Sequence, residues 1–445
     1  MKAVIMAGGK GTRLSEFTKE IPKPLIPIGG KPVLEHQIRL FVRYGIRDIL
    51  IVTGHLGERI EQYFEDGASF GAKIEYFREE RPLGTAGALA FLKERLTDSF
   101  LLVYGDVLFD MDLERFAAFH RSQGTVGTLT VHPNNHPYDS DVLKVNAAGR
   151  VERIFRKNEK RDFDYSNCVN AGVYAFEPEL LETIADNAKQ DLEKDVLAAL
   201  IGEGRISAYR TTEYMKDMGT PDRYALVQRH LEDGIVSAKN LSSKQKAIFL
   251  DRDGTLNKYV GLVSSPEQLE IEDGVVEALK LANDSAYLAI VVTNQPVVAR
   301  NLCTEKELGL IHDRLETRLG ERGVYVDDIV YCPHHPDKGY PEENVKYKIP
   351  CDCRKPSIGM LTQAAEKYNI DLAQSFLIGD TTVDLETGRN AGVTTVLVAT
   401  GLGGTDGRYS VVPDYEADDL LEAVNGIISG KVLSRSRNAN AELCK

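Results

Sequence analysis

Short apolar runs alternate with amphipathic stretches through the chain, first over residues 1–232 and again over 246–430. In the first stretch Lys2-Ala-Val-Ile-Met-Ala7, Asp48-Ile-Leu-Ile-Val-Thr53, residues 73–77 and Phe100-Leu-Leu-Val-Tyr104 read as buried strands. Residues 32–44, 57–64, 88–96 and 222–232 read as helices between and after them. The second stretch repeats the scheme, with strands at Ala247-Ile-Phe-Leu250, Tyr287-Leu-Ala-Ile-Val-Val-Thr293, 328–331 and Ser375-Phe-Leu-Ile-Gly379, and helices at 304–319, 359–368 and 418–428. Strands alternating with helices predict an α/β protein of two doubly wound domains. Residues 233–245 are small, polar and punctuated by Gly and Ser, as a linker is, and 431–445 form a polar tail. No internal repeat is visible after residue 232.

The totals narrow the class of partner. A chain of 445 residues with 42% apolar side chains has material for two or three packed domains. A net charge of −13 argues against a nucleic-acid backbone or an anionic membrane as partner, while small anionic substrates remain open to local Lys and Arg clusters. The opening apolar run is too short for a signal peptide, and no stretch approaches a membrane span. Of six cysteines, Cys332, Cys351 and Cys353 crowd together while Cys168, Cys303 and Cys444 stand apart. That spacing points away from a disulfide framework and toward a cytoplasmic protein with one metal site. A homo-oligomer is compatible with all of this.

The first strand runs into Gly8-Gly-Lys-Gly-Thr-Arg-Leu14. A glycine-rich turn lets backbone N–H groups close on phosphate oxygens, and Arg13 adds a guanidinium fork; taken alone the loop is equally a plain tight turn. Pro22-Lys-Pro-Leu25 holds Lys23 between two prolines, as a positioned cation or a rigid surface turn. A second glycine-rich segment, Pro82-Leu-Gly-Thr-Ala-Gly-Ala88, opens a helix, and the strand at 100–104 ends in Gly105-Asp106.

In order, Ala7-Gly-Gly-Lys-Gly-Thr-Arg-Leu14, Pro22-Lys-Pro-Leu25, Leu83-Gly-Thr-Ala-Gly87, Gly105-Asp106, Val169-Asn-Ala-Gly-Val-Tyr-Ala175 and Lys216-Asp-Met-Gly-Thr-Pro221 resemble the sugar-1-phosphate nucleotidylyltransferases over residues 1–232. The resemblance implies a GT-A-like domain with a mixed, mostly parallel sheet. A nucleoside triphosphate would be cradled by Gly8, Gly9, Gly11, Thr12 and Gly84, with Arg13 and Lys23 facing its phosphates as catalytic cations. Asp106 and Asp217 would hold Mg²⁺, Asp106 also lining the nucleotide, and the sugar phosphate would lie by Asn170 and Gly172. Members often carry Glu-Lys where this chain has Phe155-Arg-Lys157; Lys157 aligns with the family's sugar-phosphate lysine, with Arg156 and Lys160 as neighbours in the register. Attack of one phosphate on another brings like charges together, and a metal with fixed cations offsets that repulsion.

The second stretch opens on Asp251-Arg-Asp-Gly-Thr-Leu-Asn257, two carboxylates at a strand tip. Alone it would read as a solvated Asp-Gly turn. Downstream strands end at Thr293 and at Asp380 with Asp384, and Pro350-Cys-Asp-Cys-Arg-Lys-Pro356 stands between them. This ordered set resembles the haloacid-dehalogenase-like (HAD-like) phosphatases, which implies a Rossmannoid domain in which Asp251 is the nucleophile and Asp253 the acid and base. Mg²⁺ would be held by Asp251, the Asp253 carbonyl and Asp380; Thr293 and Lys355 would bind the phosphoryl group, and Asn294, Arg354 and Lys355 the sugar phosphate. Cys332-Pro-His334 and Cys351-Asp-Cys353 make a sound set for a closed tetrahedral Zn²⁺ site, with His335 competing behind His334. The histidinol-phosphate and heptose 1,7-bisphosphate subgroup carries such a loop, with Arg-Lys-Pro after it. That subgroup usually has Ser-Gly where this chain has Pro296-Val297, and a proline offers no N–H to substrate.

Together the resemblances imply a bifunctional enzyme. One half would remove the 7-phosphate of D-glycero-D-manno-heptose 1,7-bisphosphate, and the other would join heptose 1-phosphate to a nucleotide, GTP by likeness to the guanylyl members. The alternatives are another sugar 1-phosphate of mannose or glucose type beside a broader phosphatase, and one domain turned regulatory.

Overall fold

The computed structural model describes residues 1–9, 20–337, 339 and 343–431. Gly11, Thr12, Arg13 and Cys444 lie outside the described residues. The chain divides into two compact units. The first comprises Met1–His132, Asp141–Arg156 and Cys168–Asn240; the second comprises Pro133–Ser140, Lys157–Asn167 and the chain from Leu241 on.

Besides the short hairpin strands Pro27–Ile28 and Lys31–Pro32, the strands of the first unit are β1 (Lys2–Met6), β2 (Asp48–Thr53), β3 (Lys73–Arg78), β4 (Phe100–Tyr104), β5 (Val107–Asp110), β6 (Gly127–His132), β7 (Val142–Val145), β8 (Val151–Phe155), β9 (Val169–Phe176), β10 (Ile206–Arg210) and β11 (Tyr214–Asp217). The main sheet runs β8-β7-β9-β4-β1-β2-β3, with β6 also beside β9 and β10 beyond it. It is parallel across β4-β1-β2-β3 and antiparallel around β9. Period-two alternation sends Val4, Leu50, Val52 and Leu102 into one core layer and Ala3, Ile5, Ile49, Ile51, Leu101 and Val103 into the other, which is why these runs are apolar throughout. β1 lies between β4 and β2, so the strand order reverses beside it and leaves a crevice at its carboxyl end.

The second unit has β12 (Lys246–Leu250), β13 (Tyr287–Asn294), β14 (Asp328–Cys332), β15 (Phe376–Gly379), β16 (Thr394–Val398) and β17 (Tyr415–Ala417) in the order β14-β13-β12-β15-β16-β17, parallel throughout. Here the order reverses between β12 and β15, and alternation again feeds two cores: Ile248, Leu250, Val291 and Ile378 on one side, Phe249, Ile290, Val292 and Leu377 on the other.

Three elements differ from expectation. The helix at 88–96 winds as a 3-10 helix over Gly87–Arg95. Three residues per turn place Ala86, Leu89 and Leu92, all buried, in a single row. The stretch 233–245 contains a one-turn helix, Ile235–Ala238, whose Ile235 and Val236 are buried. Finally, residues 133–140 and 157–167 belong to the second unit, where Tyr165 exchanges two hydrogen bonds with Thr317 (2.8 and 2.9 Å) and Asp164 pairs with Arg314 (3.2 Å). Among the described residues, no helix is long and apolar enough to cross a membrane.

Candidate active sites

In the second unit β12 delivers Asp251 to the switch point and β15 delivers Asp380 beside it. Lys355 is buried between them. Its Nζ donates to Asp251 Oδ1 at 2.6 Å, to the Val292 carbonyl at 2.9 Å, and to Asp384. Asp384 arrives from the first turn of helix Thr382–Ala391, whose N-cap Thr381 forms a capping box with it. Two buried carboxylates, Asp251 and Asp384, thus share one ammonium, with the buried Asp380 beside them. Burial, with repulsion from Asp384, Asp380 and Asp253, pushes Asp251 up to about 8 despite Lys355. Burial likewise pushes Asp380 up to about 7. For Lys355 burial alone would act downward, but Asp251 and Asp384 outweigh it and keep the lysine protonated.

That surplus of negative charge fits a divalent cation. Oxygens of Asp251, Asp380 and Asp384 lie within 4.8 Å of one another, and Asp380 Oδ1 is buried without a hydrogen-bond partner. Gly254 and Gly401 wrap Asp380 so closely that a Cβ on either would stand 2.3 or 2.2 Å from Oδ2. The fit to Mg²⁺ is therefore good.

Asp253 accepts hydrogen bonds from Arg252, Gln295 and Asn257. Thr293 is the next-to-last residue of β13, its hydroxyl accepting from Gln295 Nε2 at 2.9 Å. The Asn294 amide donates to the Lys355 carbonyl (3.1 Å) and accepts from the Lys355 N–H (3.0 Å), so it holds the lysine's backbone. Arg354 donates to the His334 carbonyl at 2.9 Å, which ties it to the cysteine loop.

In that loop Cys332, His334, Cys351 and Cys353 converge. Sulfur-to-sulfur distances are 3.0, 3.3 and 3.5 Å, and His334 Nδ1 stands 3.3 Å from Cys353 and 3.8 Å from Cys332. Zn–S bonds of about 2.3 Å require tetrahedral edges of about 3.8 Å, so the sulfurs need only move slightly apart to enclose the metal. Burial drives the Cys332 thiol upward, which disfavours ionisation without a metal. His335 is outside the cluster, with Nε2 facing Asp337 at 3.7 Å.

In the first unit Gly8 follows β1 beside Glu79, whose Oε2 would be 2.5 Å from a Cβ at Gly8; Gly9 is open. Lys23 sits in the 3-10 turn Lys23–Leu25 and its ammonium pairs with Asp106. Gly105 N–H bonds the Met6 carbonyl, which sets Asp106 at the end of β1. Antiparallel pairing puts Asp217 opposite Val107, one residue from Asp106. Asp217 is gripped by Arg223 (3.0 and 2.9 Å) and by the Gly219 N–H (2.8 Å). Burial acts to raise its carboxyl, but Arg223, Gly219 and Lys23 outweigh it and lower it. Both acids expected to hold Mg²⁺ are thus adjacent and already paired with cations.

Gly84 has φ +82°, and a Cβ there would lie 2.2 Å from the Gln190 carbonyl, so backbone packing by itself demands glycine. Asn170 and Gly172 lie on β9 where its pairing with β6 breaks register, an irregularity common beside active sites. Asn170 donates to Tyr174 at 2.8 Å; Tyr174 and Tyr104 donate to Glu193 at 2.9 and 2.6 Å. Glu193 is raised by burial, against the two tyrosines, and Thr85 joins the network through the Leu192 N–H at 2.7 Å. Lys157 falls in the second unit, and Arg156 is committed to Asp141 (3.0 Å) and Asp191 (3.3 Å).

Sequence reading had not assigned roles to Asp384, Arg223, Gln295 or Glu193. Asp384 had a signal in its Thr-x-x-Asp capping pattern, and Arg223 in its place three residues after an N-cap threonine. Glu193 lies in a π-helical turn, Leu192–Leu197, and has no local signature.

Two α/β units, each bringing carboxylates and a lysine to the switch point of its sheet, define an enzyme with two phosphate-handling centres. The chain belongs to the nucleotidyl transferase family, whose model matches residues 2–234, while residues 352–423 match the HAD-hydrolase-like model. It is 34% identical over 242 residues to the mannose-1-phosphate guanylyltransferase of Mycobacterium tuberculosis, covering 54% of this chain and 67% of that protein. It is 38% identical over 198 residues to the D-glycero-D-manno-heptose-1,7-bisphosphate 7-phosphatase of Chlorobaculum tepidum, covering 43% of this chain and 98% of that protein. Against the Haemophilus ducreyi D-glycero-beta-D-manno-heptose-1,7-bisphosphate 7-phosphatase, identity is 45% over 159 residues, covering 35% and 85%. The C-terminal part of the chain therefore belongs to the family of these phosphatases. The chain spans 62–67% of the length of the guanylyltransferases it matches.

Proposed function

We propose that the chain carries out two steps of nucleotide-activated heptose synthesis. The second unit removes the 7-phosphate of D-glycero-D-manno-heptose 1,7-bisphosphate, and the first transfers GMP from GTP to the resulting heptose 1-phosphate with release of pyrophosphate. The observation that carries the reading is Lys355, held between Asp251 and Asp384 at the switch point, in a half that covers 98% of a heptose-bisphosphate phosphatase.

In the phosphatase unit, Asp251 attacks phosphorus and the ester oxygen leaves with a proton from Asp253. Water, deprotonated by Asp253, then cleaves the aspartyl-phosphate. Lys355 and the Thr293 hydroxyl hold the phosphoryl oxygens. Asp251, Asp380 and the Asp253 carbonyl would hold Mg²⁺, which neutralises the phosphate as the carboxylate approaches. Cys332, His334, Cys351 and Cys353 would hold a structural Zn²⁺ that fixes the loop bearing Arg354.

In the transferase unit, Lys23 faces the triphosphate, with Gly8, Gly9 and Gly84 around it; Gly11, Thr12 and Arg13, which the family resemblance adds, lie outside the described residues. Asn170 and Gly172 serve the sugar side. Triphosphate oxygens would draw Lys23 and Arg223 from Asp106 and Asp217 and free the two acids for Mg²⁺. The relative named for mannose 1-phosphate favours a second reading, in which that sugar replaces the heptose in the first unit. Incubation with heptose 1,7-bisphosphate and each nucleoside triphosphate in turn, with products identified by mass, tests both readings. The expected product is GDP-heptose; phosphate release without preference for the heptose over hexose phosphates overturns the proposal.

A further inference from the structure

Between the two acids of the β12 tip stands Arg252, whose side chain is fully buried. Its guanidinium forks onto the neighbouring Asp253: Nε to Oδ1 at 3.1 Å, and Nη2 to Oδ1 and Oδ2 at 2.9 Å each. Nη2 also donates to Gln295 Oε1 at 3.0 Å, and Gln295 Nε2 returns to Asp253 Oδ2 at 2.8 Å, closing a ring of three side chains. Asn257 Nδ2 adds a bond to Oδ1 at 3.1 Å. Among the described residues Asp253 is the one carboxylate paired with Arg252, and Arg252 Nη1 is buried with no hydrogen-bond partner.

Swinging the Asp253 carboxyl away would leave the buried guanidinium without its carboxylate acceptor, so the pair resists displacement of the carboxyl. The fork contacts both oxygens, so it restricts rotation of the carboxylate as well as its position. The Asp253 side chain remains 18% exposed whereas that of Arg252 is not exposed at all. The acid therefore keeps one open aspect while its anchor has none.

We infer that Arg252 and Gln295 are positioning residues that aim the Asp253 carboxyl at the leaving oxygen; the inference rests on the phosphatase reading above. As the bond from Asp251 Oδ to phosphorus forms and the phosphorus–ester oxygen bond breaks, the electron pair passes to the sugar oxygen, which takes the proton of Asp253. A sugar alkoxide is a poor leaving group and needs that proton at the right place. A 4-nitrophenolate leaves without one. Loss of aim therefore separates the two kinds of substrate, whereas general damage to the fold slows both alike.

The test is first-turnover release of the leaving group, from a sugar phosphate and from 4-nitrophenyl phosphate, in the full-length chain with Mg²⁺ and Zn²⁺ supplied. Arg252→Met and Gln295→Met are each expected to slow the sugar phosphate on the order of ten- to a hundredfold, and the aryl ester less than about threefold. KM should be little changed, and Arg252→Lys should restore part of the loss. Equal slowing of both substrates by the Met variants overturns the inference. Asp253→Asn is the control: if it does not itself discriminate between the substrates, the acid role of Asp253 falls, and with it the phosphatase mechanism. Melting temperatures identify a variant that fails to fold; should Arg252→Met do so, the Gln295→Met ratio decides.

Discussion

The two centres use similar parts under different conditions. In the second unit the charged groups are enclosed: Lys355 and Asp384 have side-chain exposures of 3% and 1%. In the first unit Lys23 and Asp106 pair at 11% and 36% exposure, and Asp217 and Arg223 at 35% and 20%. The difference follows the chemistry each is proposed to perform. A carboxylate that attacks phosphorus itself must be desolvated and held in line, and a parallel sheet with both faces covered supplies that enclosure. A transferase that admits two anionic substrates needs an accessible floor, with cations kept in place by acids until phosphate arrives.

Four measurements would break or sharpen that contrast. The largest effect is expected from Asp251→Asn, which should lower phosphate release about a thousandfold or more and leave nucleotidyl transfer intact. Parallel loss of both activities would mean the centres are not independent. Next, Lys23→Met should slow nucleotidyl transfer about a hundredfold, as removal of a fixed cation does, without touching phosphate release.

Smaller is the effect of Cys353→Ser. It should abolish Zn²⁺ content by elemental analysis and lower the melting temperature of the phosphatase unit by several degrees, with the transferase unit's transition unmoved. A protein that melts as before would show that the cysteine cluster does not hold the loop.

The smallest effect concerns pH. Burial, reinforced by the Arg252 charge, depresses His312 from 6.5 to about 3. The folded state keeps this imidazole neutral while the unfolded chain protonates it below its ordinary value. Its contribution is thus full above pH 6.5 and is lost as pH falls toward 3, by at most about 1.4 kcal/mol per pH unit. Denaturant titrations of His312→Phe should show a shallower loss of stability over that window; an unchanged slope would assign the acid sensitivity elsewhere.

Much of the fold was legible because its signals are local. Apolar runs such as Phe100-Leu-Leu-Val-Tyr104 and Ala247-Ile-Phe-Leu250 need only neighbouring residues to declare a strand buried on both faces, and each is one. The helix at 88–96 was less legible, since α and 3-10 winding share composition and differ in what lies against them. At the sites, Lys355 was visible in Arg-Lys-Pro, but the hold of Asn294 on the Lys355 backbone was not, because its partner lies 61 residues away.

The sequence by itself determined that there are two strand–helix domains, that each ends strands in acids, and that three cysteines and a histidine gather in one stretch. These are properties of spacing. Only the tertiary structure decided the pairings: Lys355 with Asp384, Asp217 with Arg223, His334 rather than His335 among the thiols, and Arg252 turned onto Asp253. The physical reason is that strand order and register set which distant side chains share a crevice. Among such neighbours, burial decides which charge must have a partner, and neither order nor burial is written in any single stretch of chain.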